Sequence, residues 1–200
     1  MKRTVLLSII FAFVTGMYAQ NTDQTRKILD KTAAVVSNKG GASASFTMSG
    51  KYGNTSGTIN IKGNKFCAYT STAIIWYDGK TQWTYNKNSD EVNISTPTEA
   101  QQQAMNPYKF INIYKNGFNM SSKNVGNNTQ VHLTAQNQQR TIKELYITIN
   151  KSYQPTLVKM RTNKGWSVIN ITNFKKKKLS DSVFKFNSKD YPSAEVIDLR

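Results

Sequence analysis

From Ala42 onward the apolar residues of this chain recur at every second position, in short runs divided by Gly and Asn. Successive side chains of a strand point to opposite faces, so a period of two gives each strand one apolar face. Ala42, Ala44, Phe46 and Met48 alternate with small polar residues, and Gly50 to Gly57 reads as a polar turn before Ile59 and Ile61. Gly63-Asn64 turns the chain again ahead of Phe66 and Ala68. Val92 and Ile94, then Val131 and Leu133, then Leu145, Ile147 and Ile149 repeat the pattern, as do Trp166, Val168 and Asn170. Short strands with turn signals roughly every 8–12 residues predict an antiparallel sheet or barrel.

The sharpest local signal is Ile74-Ile75-Trp76-Tyr77-Asp78-Gly79-Lys80-Thr81-Gln82-Trp83-Thr84-Tyr85. Asp-Gly between apolar runs predicts a two-residue hairpin turn, with Tyr77 opposite Lys80 and Ile74 opposite Trp83. Ile74, Trp76, Trp83 and Tyr85 then share the buried face, and Gln82 the exposed one.

Two segments break the period. Ile28, Leu29, Thr32, Val35 and Val36 lie on one face of a helix that spans Asn21 to Ser37 and stops at Gly40-Gly41. Pro97 to Lys115 is apolar but not alternating, with helical turns at Thr98 to Ala104 and from Pro107 through Tyr108, Phe110, Ile111 and Tyr114. A connection in water is polar, so this insertion reads as a lid on the sheet. Phe184-Lys185-Phe186 reads as a late short strand, and Lys175 to Lys178 as an exposed loop. One domain of ten or eleven strands with two or three helices results.

The first residues carry an address. Lys2 and Arg3 precede an apolar run from Val5 to Val14, and Ala19 offers a small residue for cleavage. The run is too short to span a bilayer, which takes roughly 20 residues. The reading is a signal peptide over 1–19, export to the periplasm, and a single domain over 20–200. The net charge of +16 becomes +14 once Lys2 and Arg3 leave. Such a surface attracts nucleic acid, anionic lipid or acidic protein, or simply keeps the protein in solution. Export removes nucleic acid from that set. The single cysteine, Cys67, excludes an intramolecular disulfide and reads as a buried, inert thiol.

Catalytic chemistry finds little to work with. The one histidine, His132, lies in an alternating strand with no nucleophile marked beside it. Asp90-Glu91 is a lone acidic pair at a turn. One Cys and one His do not make a structural zinc site, and no glycine-rich phosphate loop opens a helix. The expectation is a binding protein without enzyme activity, cofactor or metal.

The order of these parts carries a resemblance. A signal peptide and one helix precede Ala44-Ser45-Phe46-Thr47 and the Ile59, Ile61 strand. Asp78-Gly79-Lys80-Thr81-Gln82-Trp83-Thr84-Tyr85-Asn86 comes next, and Phe184-Lys185-Phe186 follows late. The chain resembles the periplasmic outer-membrane lipoprotein carrier proteins, the LolA type. Its ending, Pro192-Ser193-Ala194-Glu195-Val196-Ile197-Asp198-Leu199-Arg200, resembles a Bacteroidetes-type subgroup. The resemblance implies a mostly β (α+β) fold, an incomplete antiparallel β-barrel of about eleven strands with a helical lid over an apolar cavity. It implies a monomeric carrier that takes an acylated lipoprotein or lipid from an inner-membrane transporter and passes it to an outer-membrane acceptor. The family places an arginine that holds the lid in the turn matching Ile61-Lys62-Gly63-Asn64-Lys65. Here Lys62 or Lys65 stands in, without the bidentate fork.

An acyl chain of about 14 carbons, at about 0.8 kcal/mol per buried CH2, must be hidden from water in transit. The candidate lipid-binding residues are Phe46, Met48, Ile59, Ile61, Phe66, Trp83, Tyr85 and Ile94 on the sheet, with Met105, Phe110 and Ile111 on the lid. Lys175, Lys176, Lys177 and Lys178 are the candidate site for transient contact with a membrane or acidic partner. A second function class is a lipid-sensing or protein-interaction module of the same fold without transport.

Overall fold

The computed structural model describes residues 21–200 except residue 52. The proposed signal peptide lies outside these residues. Helix α1 occupies 21–36. Thr25, Leu29, Thr32, Ala33 and Val36 are buried on one face of it. The two threonines donate their hydroxyls to the carbonyls of Asn21 and Ile28, so neither is buried unpaired.

Six strands then form a meander: β1 (Ala42–Gly50), β2 (Gly53–Lys62), β3 (Lys65–Thr70), β4 (Ala73–Tyr77), β5 (Gln82–Asn86) and β6 (Glu91–Ser95). Two short helices follow, α2 (Glu99–Met105) and α3 (Pro107–Ile111). Thr98 and Gln101 form a capping box at the start of α2. A second meander comprises β7 (Phe118–Val125), β8 (Asn128–Ala135), β9 (Ile142–Ile149), β10 (Pro155–Thr162) and β11 (Gly165–Lys176). The last strand, β12 (Glu195–Asp198), completes a single sheet in the order β12-β6-β5-β4-β3-β2-β1-β11-β10-β9-β8-β7. The meanders join where β1 pairs with β11. β12 and β7 are its two edges, so the sheet is open rather than a closed barrel.

The mostly β architecture with few helices is as the sequence reads, but several details differ. Twelve strands lie among the described residues, and β12 runs parallel to β6 because the chain reaches that edge from across the sheet. The turn read over Gly50 to Gly57 is shorter than expected, since Gly53 already pairs with Gly50. The small polar residues there continue the strand outward into solvent. Phe184 ends a 3-10 turn, Asp181–Phe184, capped by Ser180, and is not in a strand. Its ring is wholly buried, which explains an apolar residue outside the period. Lys175 and Lys176 belong to β11, so only Lys177 and Lys178 lie in the following loop, although all four are exposed.

The Asp78-Gly79 turn spans four residues. Tyr77 pairs with Gln82, Trp76 with Trp83 and Ile74 with Tyr85. The cause is the Asp78 side chain: its Oδ1 accepts from the backbone N–H groups of Lys80 and Thr81 at 2.9 and 2.8 Å, lengthening the loop. The pairing moves by two residues, so Ile74, Trp76, Trp83 and Tyr85 still share a face.

Candidate functional site

The two faces of the sheet bury different things. On the first, Ile61, Phe66, Ala68 and Tyr77 join Val131, Leu133, Leu145, Ile147, Ile149 and Val158 from the far meander. Leu29, Ala33 and Val36 of α1, Ile111 of α3, and Ile113 and Tyr114 close over them. Ile28, Ile59, Ile75 and Phe110 pack against the same cluster, half-buried. This face is therefore one apolar layer between the sheet and the helices.

Polar contacts tie the helices down at three points. Asn106, between α2 and α3, donates its amide to the Asn64 carbonyl at 3.0 Å, while its Oδ1 accepts from the Tyr108 N–H. Tyr114 donates its hydroxyl to Oδ1 of Asp30 on α1. Burial, then this hydrogen bond, push the Tyr114 phenol well above its ordinary pKa. Asn21 exchanges hydrogen bonds with both backbone groups of Ser122 on β7, and the Ser122 and Thr25 hydroxyls are hydrogen-bonded to each other.

The residues expected to bind lipid divide between the faces. Phe46, Met48, Ile59, Ile61 and Phe66 share the helix-covered face by register, and Phe110 and Ile111 meet it from α3. Met48 is 38% exposed, so that face opens to solvent towards the far end of β1. The side chain of Met105 is outside the described residues. Trp83, Tyr85 and Ile94 stand on the opposite face, aligned with Trp76 and Val92. The single cavity expected to unite all of them is thus corrected to two surfaces.

Cys67, Ile74, Trp76, Leu179 and Phe184 form the core of the opposite face, with Trp83, Tyr85, Phe186 and Tyr191 packed on it. The cover there is the segment 179–191, whose Tyr191 ring stands 4.6 Å from Tyr85 and 5.6 Å from Trp76. Both sides of this sheet region are therefore covered, and Trp83, beneath the C-terminal segment, and Gln82, on the helix side, are each half-buried. Cys67 is fully buried, and burial lifts its thiol to about 11. That keeps it protonated and inert.

Lys62 and Lys65 do not latch the lid. They bind Asp181 at 2.9 and 3.1 Å and hold the C-terminal segment, and hydrogen bonds from Lys62 and Lys65 lower the Asp181 carboxyl. The lid contact at this turn comes instead from Asn106, reaching the Asn64 backbone.

Among the described residues the apolar layer is tightly packed, and the crevice lined by Phe66, Tyr77, Gln82, Pro97, Gln102 and Asn106 has no room for a water molecule. Outside it lies a pocket of about 390 Å3, lined by Gln82, Ser95, Thr96, Pro97, Gln101, Leu199 and Arg200. Sequence reasoning missed this pocket, because its residues are polar and come from β5, β6, α2 and the C-terminal end.

On the outer face of the second meander, His132 stacks on Tyr146 at 4.2 Å and shares Glu144 with it and Arg161. Among the described residues, no group of three His, Cys, Asp or Glu is placed to hold a metal. No helix among them is long and apolar enough to cross a membrane.

A model of the family described as outer membrane lipoprotein carrier protein LolA matches residues 15–164. The match ends just before β11. No curated protein matches the chain. An uncharacterized conserved protein from Thermus thermophilus superposes with a TM-score of 0.60 at 13% identity, over 88% of this chain and 99% of its own. A LolA superfamily protein from Nitrosomonas europaea superposes at 0.45, with 10% identity over 81% and 97% of the two chains. An outer membrane lipoprotein-sorting domain from Vibrio parahaemolyticus gives 0.47, 10%, 82% and 97%.

Proposed function

The chain belongs to the outer membrane lipoprotein carrier (LolA) family, and we propose that it carries an acyl chain of a lipoprotein or lipid between its sheet and its helices. The observation that supports this reading is the apolar layer itself. It lies under α1 and α3, and α3, like α2 before it, is short, with five and seven residues respectively. Helices that short are not stable alone. They stay in place by packing and by a few hydrogen bonds, so an acyl chain of matching apolar area can displace them. The packed interior then corresponds to the empty carrier, and cargo replaces protein–protein contacts with protein–lipid contacts of the same kind.

The protein works in this reading as a binding protein without catalysis, in the periplasm and as a monomer, between an inner-membrane donor and an outer-membrane acceptor. Phe46, Met48, Ile59, Ile61, Phe66, Phe110 and Ile111 are the proposed acyl contacts. Lys175, Lys176, Lys177 and Lys178 supply reversible attraction to anionic membrane. Mass spectrometry of material extracted from gently purified protein tests the proposal. Bound acylated lipoprotein or lipid is the expected result. A stable protein complex free of acyl material, from a protein that also fails to bind palmitate, would favour the interaction module and end the carrier reading.

A further inference from the structure

The outer face of the first meander is covered by the segment 179–191, but the outer face of the second has no such cover among the described residues. Two rows of directly opposed residues cross it. One runs Ser121, His132, Tyr146, Lys159, and the next runs Thr134, Glu144, Arg161, Trp166. Lys159 is exposed, and Trp166 is 43% exposed. The charge of the chain gathers in the same region. Residues 118–178 contain eleven lysines and arginines against a single carboxylate side chain, that of Glu144, and so hold +10 of the total of +16. That carboxylate is already spent. Its Oε1 bonds His132 Nε2 and the Tyr146 hydroxyl, each at 2.9 Å, and its Oε2 accepts from Arg161 Nε at 2.8 Å.

We propose that this face docks an acidic segment of a partner protein, with one of its carboxylates seated on Arg161 beside Trp166. Arg161 spends only its Nε–H, and its two Nη groups have no hydrogen-bond partner among the described residues. Glu144 on one side and the Trp166 ring, centred 5.9 Å away, on the other hold the guanidinium in place. A fixed planar fork suits a carboxylate, which takes two parallel bonds from it. Trp, Tyr and Arg are also the residues in which protein interfaces concentrate their binding energy. The ring faces are not free for a sugar to stack on, since His132 and Tyr146 stack on each other at 4.2 Å and Trp166 leans on Tyr146 at 6.0 Å. An anionic bilayer is attracted by charge alone and has no use for an oriented fork. Five strands at about 4.8 Å spacing make the face about 20 Å wide, the size of a small, transient interface. The acyl layer lies on the opposite face of the sheet, so this partner is distinct from any cargo.

Three probes test the proposal on the full-length mature protein: a peptide rich in Asp and Glu around a central Leu, its Asn/Gln analogue, and phosphatidylglycerol vesicles. Titrations run at about 0.15 M salt, where charges more than about 8 Å away are largely screened. The acidic peptide is expected to bind, with backbone NMR shifts centred on residues 132, 146, 161 and 166. The analogue should bind at least about tenfold more weakly. Arg161→Lys keeps the charge and removes the fork, and should weaken the acidic peptide about tenfold. Trp166→Ala, at an exposed ring, should weaken it as well, and thermal melts of both variants report whether the fold is intact. Acidic-peptide binding unchanged by Arg161→Lys, or shifts centred on 175–178, would overturn the site. So would an acidic peptide that binds no better than its analogue. Vesicles that bind through Arg161 and Trp166 where the peptide does not would assign the face to membrane and end the protein-docking proposal.

Discussion

Asn106 donates its side-chain amide to the main-chain carbonyl of Asn64, 42 residues away, at 3.0 Å. The side chain is 2% exposed and also caps α3. One buried amide thus fixes both the entry to the helix and its seat on the β2–β3 turn. We predict that Asn106→Ala costs about 1–3 kcal/mol, because it removes a cap and strands a carbonyl. Denaturant unfolding should show the loss, and amide exchange in α3 should quicken more than in β8. Equal stability to the parent protein would show that the contact carries no weight.

Tyr114 ties α1 to the lid through Asp30. Tyr114→Phe keeps the ring in the core and deletes only the hydroxyl. The expected cost is about 1–2 kcal/mol. Exchange protection along α1 should fall, and palmitate should bind faster because the helix opens more often. Slower binding would contradict a latch.

Glu144 gives a pH-dependent prediction. Partial burial pushes its carboxyl up, but hydrogen bonds from Tyr146, Arg161 and His132 outweigh that and hold it below the usual carboxylate range. A folded-state pKa below the unfolded one adds stability above the unfolded value and loses it as pH falls through the folded value. Glu144→Gln should therefore destabilise the protein near pH 7, and the gap to the parent should close below about pH 4. Thermal melts across that range measure it; a gap independent of pH would refute the assignment.

Most of the frame was legible because periodicity reports burial. The 3.6-residue period gave α1, with Leu29, Thr32 and Val36 buried as read. The two-residue period gave nearly every strand. The choice of face failed at β3, β4 and β5, for a physical reason. Phe66 and Tyr77 are buried on one side there and Cys67 and Trp76 on the other, because the segment 179–191 covers what would otherwise be the solvent face. Alternation marks a buried face only when the other is wet. With both dry, the size of Trp83 and Tyr85 drew them to the wrong surface. The polar pocket stayed invisible for the converse reason: Gln82 and Ser95 look like ordinary exposed positions until the strands align them with Tyr77.

Lys175, Lys176, Lys177 and Lys178 remain together on the surface even though a strand end divides them. Each lysine near an anionic bilayer is worth about 1 kcal/mol. Replacing all four with glutamine should weaken cosedimentation with phosphatidylglycerol vesicles at low salt and leave palmitate capacity as it was. The difference should vanish at high salt, since screened charges cannot act at a distance. Vesicle binding insensitive to both salt and substitution would remove the docking role.

The seam between β1 and β11 has a kinetic consequence. Elsewhere in each meander a strand pairs with its immediate predecessor, a short loop away. At the seam Ala42 meets Lys176 and Gly50 meets Ser167, with more than a hundred residues between. Closing so long a loop costs conformational entropy before any contact offsets it, and non-local pairing slows folding. The two halves can zip independently and early, while their edges wait for each other. During that interval four strand edges are unpaired instead of two, so nascent chains are most prone to associate just before the seam shuts.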